Sequence, residues 1–323
     1  MYYTCQIEPG EVQKHPQTQI EAAPGFKYIT VSFEALLTCI VSWLAGEKWR
    51  VEALSDHTKD FYTILASKLS ASYTVSSDVD LRGILENVDL GLCLGELSCP
   101  DLAELGIDRK KTFKFVQAWK KANPEVSGTI RRLASYAAGK PLSRQSQDAE
   151  PFRLEKQGDD LFVQLPSGRK LLFREAVSGV DVHNDRHLQY ERYAQEGNSC
   201  RVASGWDLLK MIANETAIDL LNSFILTALN CEDYRIVSNR FHEIVLEVPD
   251  HVLSQYVATD LLGDLPVWTH GIPLRVEASE CTRMPSNDPT VVWKRSTIMG
   301  SHVFMALDYM LTPENNQQDH LEE

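Results

Sequence analysis

The segment from Gly205 to Leu229 most constrains the fold, because it has the pattern of one long amphipathic helix. Its apolar face is supplied by Leu208, Leu209, Ile212, Leu220, Leu221 and Ile225. Strand-like runs precede this helix at 161–165 and 170–173, joined by the turn residues Pro166-Ser167-Gly168, and another run follows it at 244–248. These elements combine helices with strands.

The remainder of the chain divides into segments of different composition. A strand at 27–33 leads directly into a buried helix at 36–44, and residues 58 to 138 have mostly helical periodicity. In that stretch, an apolar stripe is predicted from Phe113, Phe115, Trp119 and Ala122. We therefore expect a flexible arm at 1–24, a first strand and helix at 25–52, a helical part at 53–145, a hairpin and second strand region at 146–285, and a C-terminal helix with a disordered tail at 286–323.

Charge is distributed unevenly along the 323 residues. The formal net charge is -13, yet the stretch from Arg109 to Lys140 holds nine basic residues and one acidic residue. Nucleic-acid affinity comes largely from basic side chains that neutralise phosphates, so only this stretch is a candidate for that role. The seven cysteines form no Cys-x-x-Cys pair, and no apolar run reaches the length of a membrane span. A cytoplasmic protein is expected.

Two segments carry a resemblance to a known family. Val31 to Glu47 reads VSFEALLTCIVSWLAGE and resembles motif A of the family A (Pol I-like) DNA polymerases of bacteriophages, while Arg240 to Pro249 reads RFHEIVLEVP and resembles motif C. The resemblance implies an α+β fold with a polymerase palm, which is an antiparallel sheet backed by helices, together with a mainly helical fingers subdomain. Neither an exonuclease domain nor a thumb is expected.

Further segments resemble the same family in the same order. They are KFVQAWKKANPEV at 114–126, QLPSGRK at 164–170, GWDLLKMIANETAIDLL at 205–221 and LPVWTHGIPLR at 265–275. Together with the two motifs, they extend the resemblance over residues 25 to 285. Several similar segments in the correct order indicate a shared fold.

The positions that carry chemistry in the family differ in this chain. The metal-binding aspartates of motifs A and C fall on Ser32 and His242, and only the second motif C acid, Glu243, is kept. The steric-gate glutamate falls on Leu37. The arginine, lysine and tyrosine that hold the incoming triphosphate fall on Asp80, Ile84 and Leu92. Because two-metal phosphoryl transfer needs carboxylates to hold both cations, these exchanges predict that nucleotidyl transfer is lost and that the chain is not an enzyme.

The sequence then leaves three functional hypotheses. The first is a non-catalytic subunit or accessory factor of phage DNA replication, bound to an active DNA polymerase or another replisome protein. The second is a stand-alone DNA-binding pseudoenzyme or decoy. The third is an enzyme of changed chemistry at the old palm site, in which Ser32, His242 and Glu243 lie close together. No metal and no cofactor are expected.

Two surfaces are candidates for binding. The basic one, which would face nucleic-acid phosphates, consists of Arg109, Lys110, Lys111, Lys114, Lys120, Lys121, Arg131 and Arg132. The seven-residue spacing of Lys114 and Lys121 places them on one helical face, opposite Phe115 and Trp119. The other is a predicted helix over 297–311, whose apolar stripe would dock a partner protein through Met299, Val303, Leu307 and Leu311.

Overall fold

The fold is taken from a computed structural model of the full chain. The structure describes residues 21–56, 58–71, 73, 80–97, 102–103, 107, 109–140, 151–180, 186–194, 197–240, 242–282 and 294–299. Its helices are α1 (Leu36–Leu44), α2 (Lys48–Ser55), α3 (Phe61–Ser70), α4 (Leu81–Leu94), α5 (Arg109–Ala122), α6 (Pro124–Ala137), α7 (Gly205–Asn230) and α8 (Ser254–Gly263), with a short 3₁₀ turn at Val267–Thr269. Its strands are β1 (Phe26–Phe33), β2 (Arg153–Gln157), β3 (Asp160–Gln164), β4 (Lys170–Val180), β5 (Arg186–Ala194), β6 (Gly197–Ala203), β7 (Arg235–Arg240), β8 (Glu243–Pro249), β9 (Arg275–Cys281) and β10 (Lys294–Met299).

The first sheet is antiparallel, with strand order β10-β9-β1-β8-β7. Because side chains alternate along a strand, one face of this sheet is apolar, and Ile29, Val31, Leu246 and Val276 on that face are almost completely buried. Helices α7 and α1 pack against each other, and α8 packs against β9. The predicted strands at 27–33 and 244–248 are therefore confirmed, and β1 lies at the centre of the sheet.

The long helix begins where the sequence predicts and continues to Asn230. Ser204 caps its N-terminus: the Ser204 hydroxyl accepts from the Asp207 backbone N–H, and the Asp207 carboxylate accepts from the Ser204 backbone N–H at 2.8 Å. Leu208, Ile212 and Leu220 are buried on its apolar face. The capping box fixes the start of α7, and burial of the apolar face stabilises the rest.

The second sheet has strand order β2-β3-β4-β5-β6. The predicted hairpin joins β3 to β4, and Gly168 adopts a positive φ of 87° in its turn. Sequence patterns did not predict β5 and β6, since this stretch is polar and its alternation is weak. Pairing with β4 extends the sheet there, because the long strand β4 continues past a bulge between Arg174 and Val177.

A buried polar network ties the helical part together. The Arg50 guanidinium donates to both carboxylate oxygens of Asp89, at 2.9 and 2.6 Å, and both side chains have no exposed surface. Arg50 also donates to Asn123 and Ser42, and Trp119 Nε1 donates to Asp89 at 2.8 Å. The network joins α1, α2, α4 and α5 to the turn before α6.

The motif A-like segment is also joined to α6 by Glu47. Its carboxylate accepts from the backbone N–H groups of Glu125, at 2.7 Å, and Val126, at 3.3 Å. Both N–H groups belong to the first turn of α6, where backbone donors have no partner within the helix and a negative charge is favourable. Burial nevertheless raises the pKa of Glu47 above its ordinary value, although the two backbone hydrogen bonds oppose this effect.

Two structural predictions are wrong. Phe113 does not belong to the buried stripe of α5, because its side chain is 72% exposed while Phe115 and Trp119 are buried. The helix predicted over 297–311 is contradicted at its start, since Lys294–Met299 is the strand β10, with Met299 opposite Arg275 of β9. The backbone groups along the edge of β9 favour strand pairing over the apolar helical spacing. Val303, Leu307 and Leu311 lie outside the described residues.

None of the helices in the described ranges combines the length and the apolar character that crossing a membrane requires.

Candidate functional site: a palm row and a basic interface

The C-terminal end of β1 brings two glutamates to the sides of Ser32. Ser32 is opposite Glu243 of β8 and opposite Glu277 of β9. Residues directly opposite in an antiparallel sheet project from the same face, so the three side chains form one row on the half-exposed face of the first sheet. We call Ser32, Glu243 and Glu277 the palm row. Sequence reasoning missed Glu277, because nothing local indicates which strand pairs with β1.

His242 lies in the turn between β7 and β8 and is exposed. Its backbone carbonyl accepts from the Phe33 N–H at 2.8 Å, which closes the end of the β1–β8 pair. Among the described residues, no side-chain hydrogen bond joins Ser32 to His242, so the serine and histidine are adjacent in the fold without forming a nucleophile and base pair.

The predicted triphosphate-binding positions have structural contacts of their own. The Asp80 carboxylate accepts from the Gly83 N–H at 3.0 Å and caps the N-terminus of α4. Leu92 is buried in the core, and Ile84 and Leu37 are partly buried against it. Capping and packing account for these residue types.

The donors in the palm row do not fit a two-metal centre. The row supplies two carboxylates, Glu243 and Glu277, beside a neutral hydroxyl. Across the described part of the chain, no three or more His, Cys, Asp or Glu side chains are grouped so as to hold a metal ion. Ser32 places a neutral hydroxyl where the resemblance implies a metal-binding aspartate, so we derive no step through metal ions.

A basic strip runs along the exposed face of α5. Lys111, Lys114 and Lys121 are exposed, and Lys120 is half-buried, whereas Phe115 of the same helix is buried. Within the described residues none of the four lysines forms an ion pair. Cations that form no ion pair with a described residue produce a locally positive surface along α5, on a chain of net charge -13. We call Lys111, Lys114, Lys120 and Lys121 the α5 strip.

The remaining predicted basic residues differ in their surroundings. Arg131 of α6 is exposed, and its Nε donates to the Ser127 carbonyl at 3.3 Å. Arg132 is half-buried and donates to Thr129 Oγ1 at 2.7 Å. Arg109 and Lys110 lie in the first turn of α5, and their side chains are outside the described part. The structure thus places Arg131 beside the α5 strip and turns Arg132 toward its own helix.

Trp206, at the start of α7, is a residue that sequence reasoning missed. It lines a cleft with Lys120, Lys121 and Arg131, and Lys120 Nζ lies 5.9 Å from the centroid of the indole. In the family motif that this segment resembles, the matching position holds glycine, and that difference was the available signal.

Known DNA polymerases are similar to this chain in sequence and in fold. The chain is 25% identical over 274 residues to a DNA polymerase of Bacillus phage SP02, a match that covers 81% of this chain and 41% of the phage protein. It also matches the solved POL domain of Pol1 from M. smegmatis in complex with DNA primer-template and dNTP, with a TM-score of 0.51 and 16% identity over 81% of this chain and 41% of that one. The chain has a family A polymerase-like fold. It spans about two fifths of the length of the proteins it matches, and no family model matches it.

The comparison corrects one prediction and supports another. The α+β polymerase-like fold is confirmed. The prediction that the chain is not an enzyme is contradicted, because the relative that it matches is named a DNA polymerase, which is an enzyme. That prediction relied on single aligned positions. It did not take into account Glu277, an acid that a strand outside the two motifs places beside Ser32.

Proposed function

We propose that this chain acts in DNA replication and that its polymerase-like fold binds primer-template DNA along the α5 strip. The observation that carries the proposal is that Lys111, Lys114 and Lys121 are exposed along α5 and form no ion pair with a described residue. Exposed cations on a rigid helix are suited to phosphate contacts, which supply most of the sequence-independent affinity of a DNA-binding protein. The name of the phage relative and the DNA in the matched solved structure support the same assignment.

The test is the salt dependence of binding. Fluorescence anisotropy with a labelled primer-template measures affinity over a range of salt concentrations for the natural chain and for the K111Q/K114Q/K121Q variant. The slope of log K against log salt is negative, and each lost phosphate contact makes it shallower by about 0.9. The slope of the triple variant should therefore be shallower by roughly 2 to 3. Lys59→Gln is the matched control, because Lys59 is exposed and its charge is already paired with Asp56. Equal slopes for all three proteins would exclude the α5 strip as the DNA interface.

Primer extension is measured in the same mixtures. The matched relative is named a DNA polymerase, so the bound primer is supplied with the four dNTPs and either Mg²⁺ or Mn²⁺. Extension that disappears in the triple variant and persists in Lys59→Gln would assign nucleotidyl transfer to DNA held on the α5 strip. This activity would belong in the cytoplasm of a host cell, as expected of a phage replication protein.

A second candidate function is binding to another replisome protein, such as an active DNA polymerase. Leu226 and Leu229 favour it, because these side chains near the C-terminal end of α7 are 61% and 64% exposed. They are three residues apart and therefore lie on neighbouring parts of one helix face, and exposed apolar groups of this kind occur at protein interfaces. Co-purification of a polymerase with the natural chain, and its loss with the L226K/L229K variant, would support this function.

A further inference from the structure

The cleft beside Trp206 combines cations with an aromatic ring. It has a volume of about 490 Å³ and is lined by Gln117, Lys120, Lys121, Ser127, Arg131 and Trp206, together with the aliphatic side chains of Ile130 and Ala134. This volume lies within the roughly 300 to 1,000 Å³ of ligand pockets. Three of the described lining residues are cations and none of them is acidic, so this lining attracts an anion.

The indole of Trp206 is held in place by two close approaches. At Gly205, an added Cβ would lie 2.4 Å from the Ala134 backbone nitrogen, so only glycine allows α7 to start this close to α6. At Gly95, the C-cap of α4 with φ 68°, an added Cβ would lie 2.8 Å from Trp206 Cβ and Cγ. The start of α7 is therefore fixed against α6, and Trp206 packs on the backbone at Gly95, which holds its side chain as a stacking platform needs to be held.

We propose that this cleft binds an unpaired nucleotide of a DNA strand, with the base stacked on Trp206 and the phosphates contacted by Lys120, Lys121 and Arg131. The proposal rests on the DNA binding proposed above and adds which form of DNA is held at this place. Base stacking on an aromatic side chain requires a free base face, which single strands offer and a continuous duplex does not. The ligand is therefore single-stranded DNA.

A DNA strand fits this cleft better than a free nucleotide does, because a second basic cleft adjoins the first. Gln117 and Lys121 line both clefts, and the second also contains Lys111, Lys114 and Phe113. Phe113 is 72% exposed. A series of cations with the half-buried ring of Trp206 and the exposed ring of Phe113 on neighbouring clefts suits the repeat of phosphate and base along a DNA strand. This arrangement also accounts for an exposed phenylalanine on an otherwise regular amphipathic helix.

The test compares single-stranded and duplex DNA. Labelled dT12 and a blunt duplex are titrated by fluorescence anisotropy with the natural chain and with the variants Trp206→Ala and Trp206→Phe. We expect Trp206→Ala to weaken dT12 binding by about tenfold or more and to leave duplex binding unchanged, whereas Trp206→Phe keeps most of the dT12 affinity because it keeps a stacking ring. Thermal melting of each variant verifies that the fold is intact.

A charge variant keeps the proposal testable if Trp206→Ala does not fold. Lys121→Gln removes a cation shared by both clefts and should make the negative slope of log K against log salt for dT12 shallower by about 0.7. The control Lys59→Gln, at a lysine that is ion-paired with Asp56, should leave the slope unchanged. Equal slopes for the two variants would overturn the proposal.

The outcomes separate this proposal from the proposed function. Equal dT12 affinity of the natural chain and a folded Trp206→Ala variant, with primer-template binding intact, would overturn the cleft assignment alone. Parallel loss of dT12 and duplex binding would also overturn it, because stacking acts only on unpaired bases. Displacement of dT12 by dTTP alone would assign the cleft to a free nucleotide and overturn the strand assignment. Absence of any DNA binding by the natural chain would overturn both proposals.

Discussion

At the scale of single residues, the Arg50 and Asp89 pair shows how a buried charge is tolerated. Burial acts to lower the pKa of Arg50, but the Asp89 carboxylate outweighs this effect and raises the pKa above its ordinary value. The Asp89 carboxylate accepts from the Arg50 guanidinium in a bidentate geometry, and Asn123, Ser42 and Trp119 complete the hydrogen bonds of the pair. The pair contributes specificity to the packing of α2 against α4, and removal of either partner is costly.

Asp89→Asn is the sharpest test of that network. The change keeps the shape of the side chain but leaves the Arg50 guanidinium buried without a counter-charge, so we expect the free energy of unfolding to fall by about 3 to 5 kcal/mol. Urea denaturation measures it. The matched control is Glu86→Gln, which removes one partner of the exposed pair with Arg82 and should change stability little. Equal effects of the two variants would contradict the buried role of Asp89.

Asp60 gives a prediction for pH. Hydrogen bonds from the Arg82 side chain and from Thr63 lower the pKa of Asp60 to about 2, against an ordinary value of about 3.9 in an unfolded chain. Since the folded pKa is depressed, this stabilisation is present above pH 4 and is lost as pH falls from about 4 to about 2. Asp60→Asn, which retains a capping side chain for α3 without the charge, should therefore lose less melting temperature over that interval than the natural chain. An identical loss in both proteins would refute this assignment.

At the scale of secondary-structure elements, glycines decide how closely helices approach. The backbones of α6 and α7 touch at Gly205, whereas Gly128, in the middle of α6, meets only the end of the flexible Arg132 side chain at 3.2 Å. The two positions have the same residue type and opposite roles. Gly205 permits a contact that the fold needs, and Gly128 carries only the entropic cost of glycine within a helix.

Alanine substitution separates these roles. Gly205→Ala places a methyl group against the α6 backbone and should lower the free energy of unfolding by about 1 to 3 kcal/mol. Gly128→Ala should leave it unchanged or raise it by up to about 1 kcal/mol, because alanine is the better helix former. Chemical denaturation of both variants, with circular dichroism at 222 nm, measures the difference. Destabilisation by Gly128→Ala as large as by Gly205→Ala would contradict the close approach.

At the scale of the whole molecule, the palm row is assembled from distant parts of the chain. Ser32, Glu243 and Glu277 come together only because β1 pairs with β8 on one side and β9 on the other. The Trp206 cleft is likewise formed by several helices, because its lining residues come from α5, α6 and α7. The palm row and the cleft therefore depend on tertiary packing, and not on any single motif.

Ser32→Asp tests the arrangement of the palm row. A third carboxylate between Glu243 and Glu277 adds like-charge repulsion across neighbouring strands, so the variant should lose about 1 kcal/mol of stability in the presence of EDTA. Mn²⁺ should restore its melting temperature, since a divalent cation binds grouped carboxylates in the folded state. Ser32→Asn is the neutral control and should not respond to the cation. Equal responses of the two variants would show that the glutamates do not flank this position.

Most helices and strands, and the resemblance to family A polymerases, could be predicted from local patterns in the amino-acid sequence. Strand β1, helix α7 and the β3–β4 hairpin were predictable, because alternation, helical periodicity and turn chemistry are local properties of the chain. Tertiary structure decided the rest. The pairing of Glu277 beside Ser32, the burial of Asp89 against Arg50, the exposure of Phe113 and the position of Trp206 between Gly95 and α6 all depend on contacts between residues far apart in sequence. Such contacts are set by strand register and close packing, which leave no periodic signal in the residues themselves.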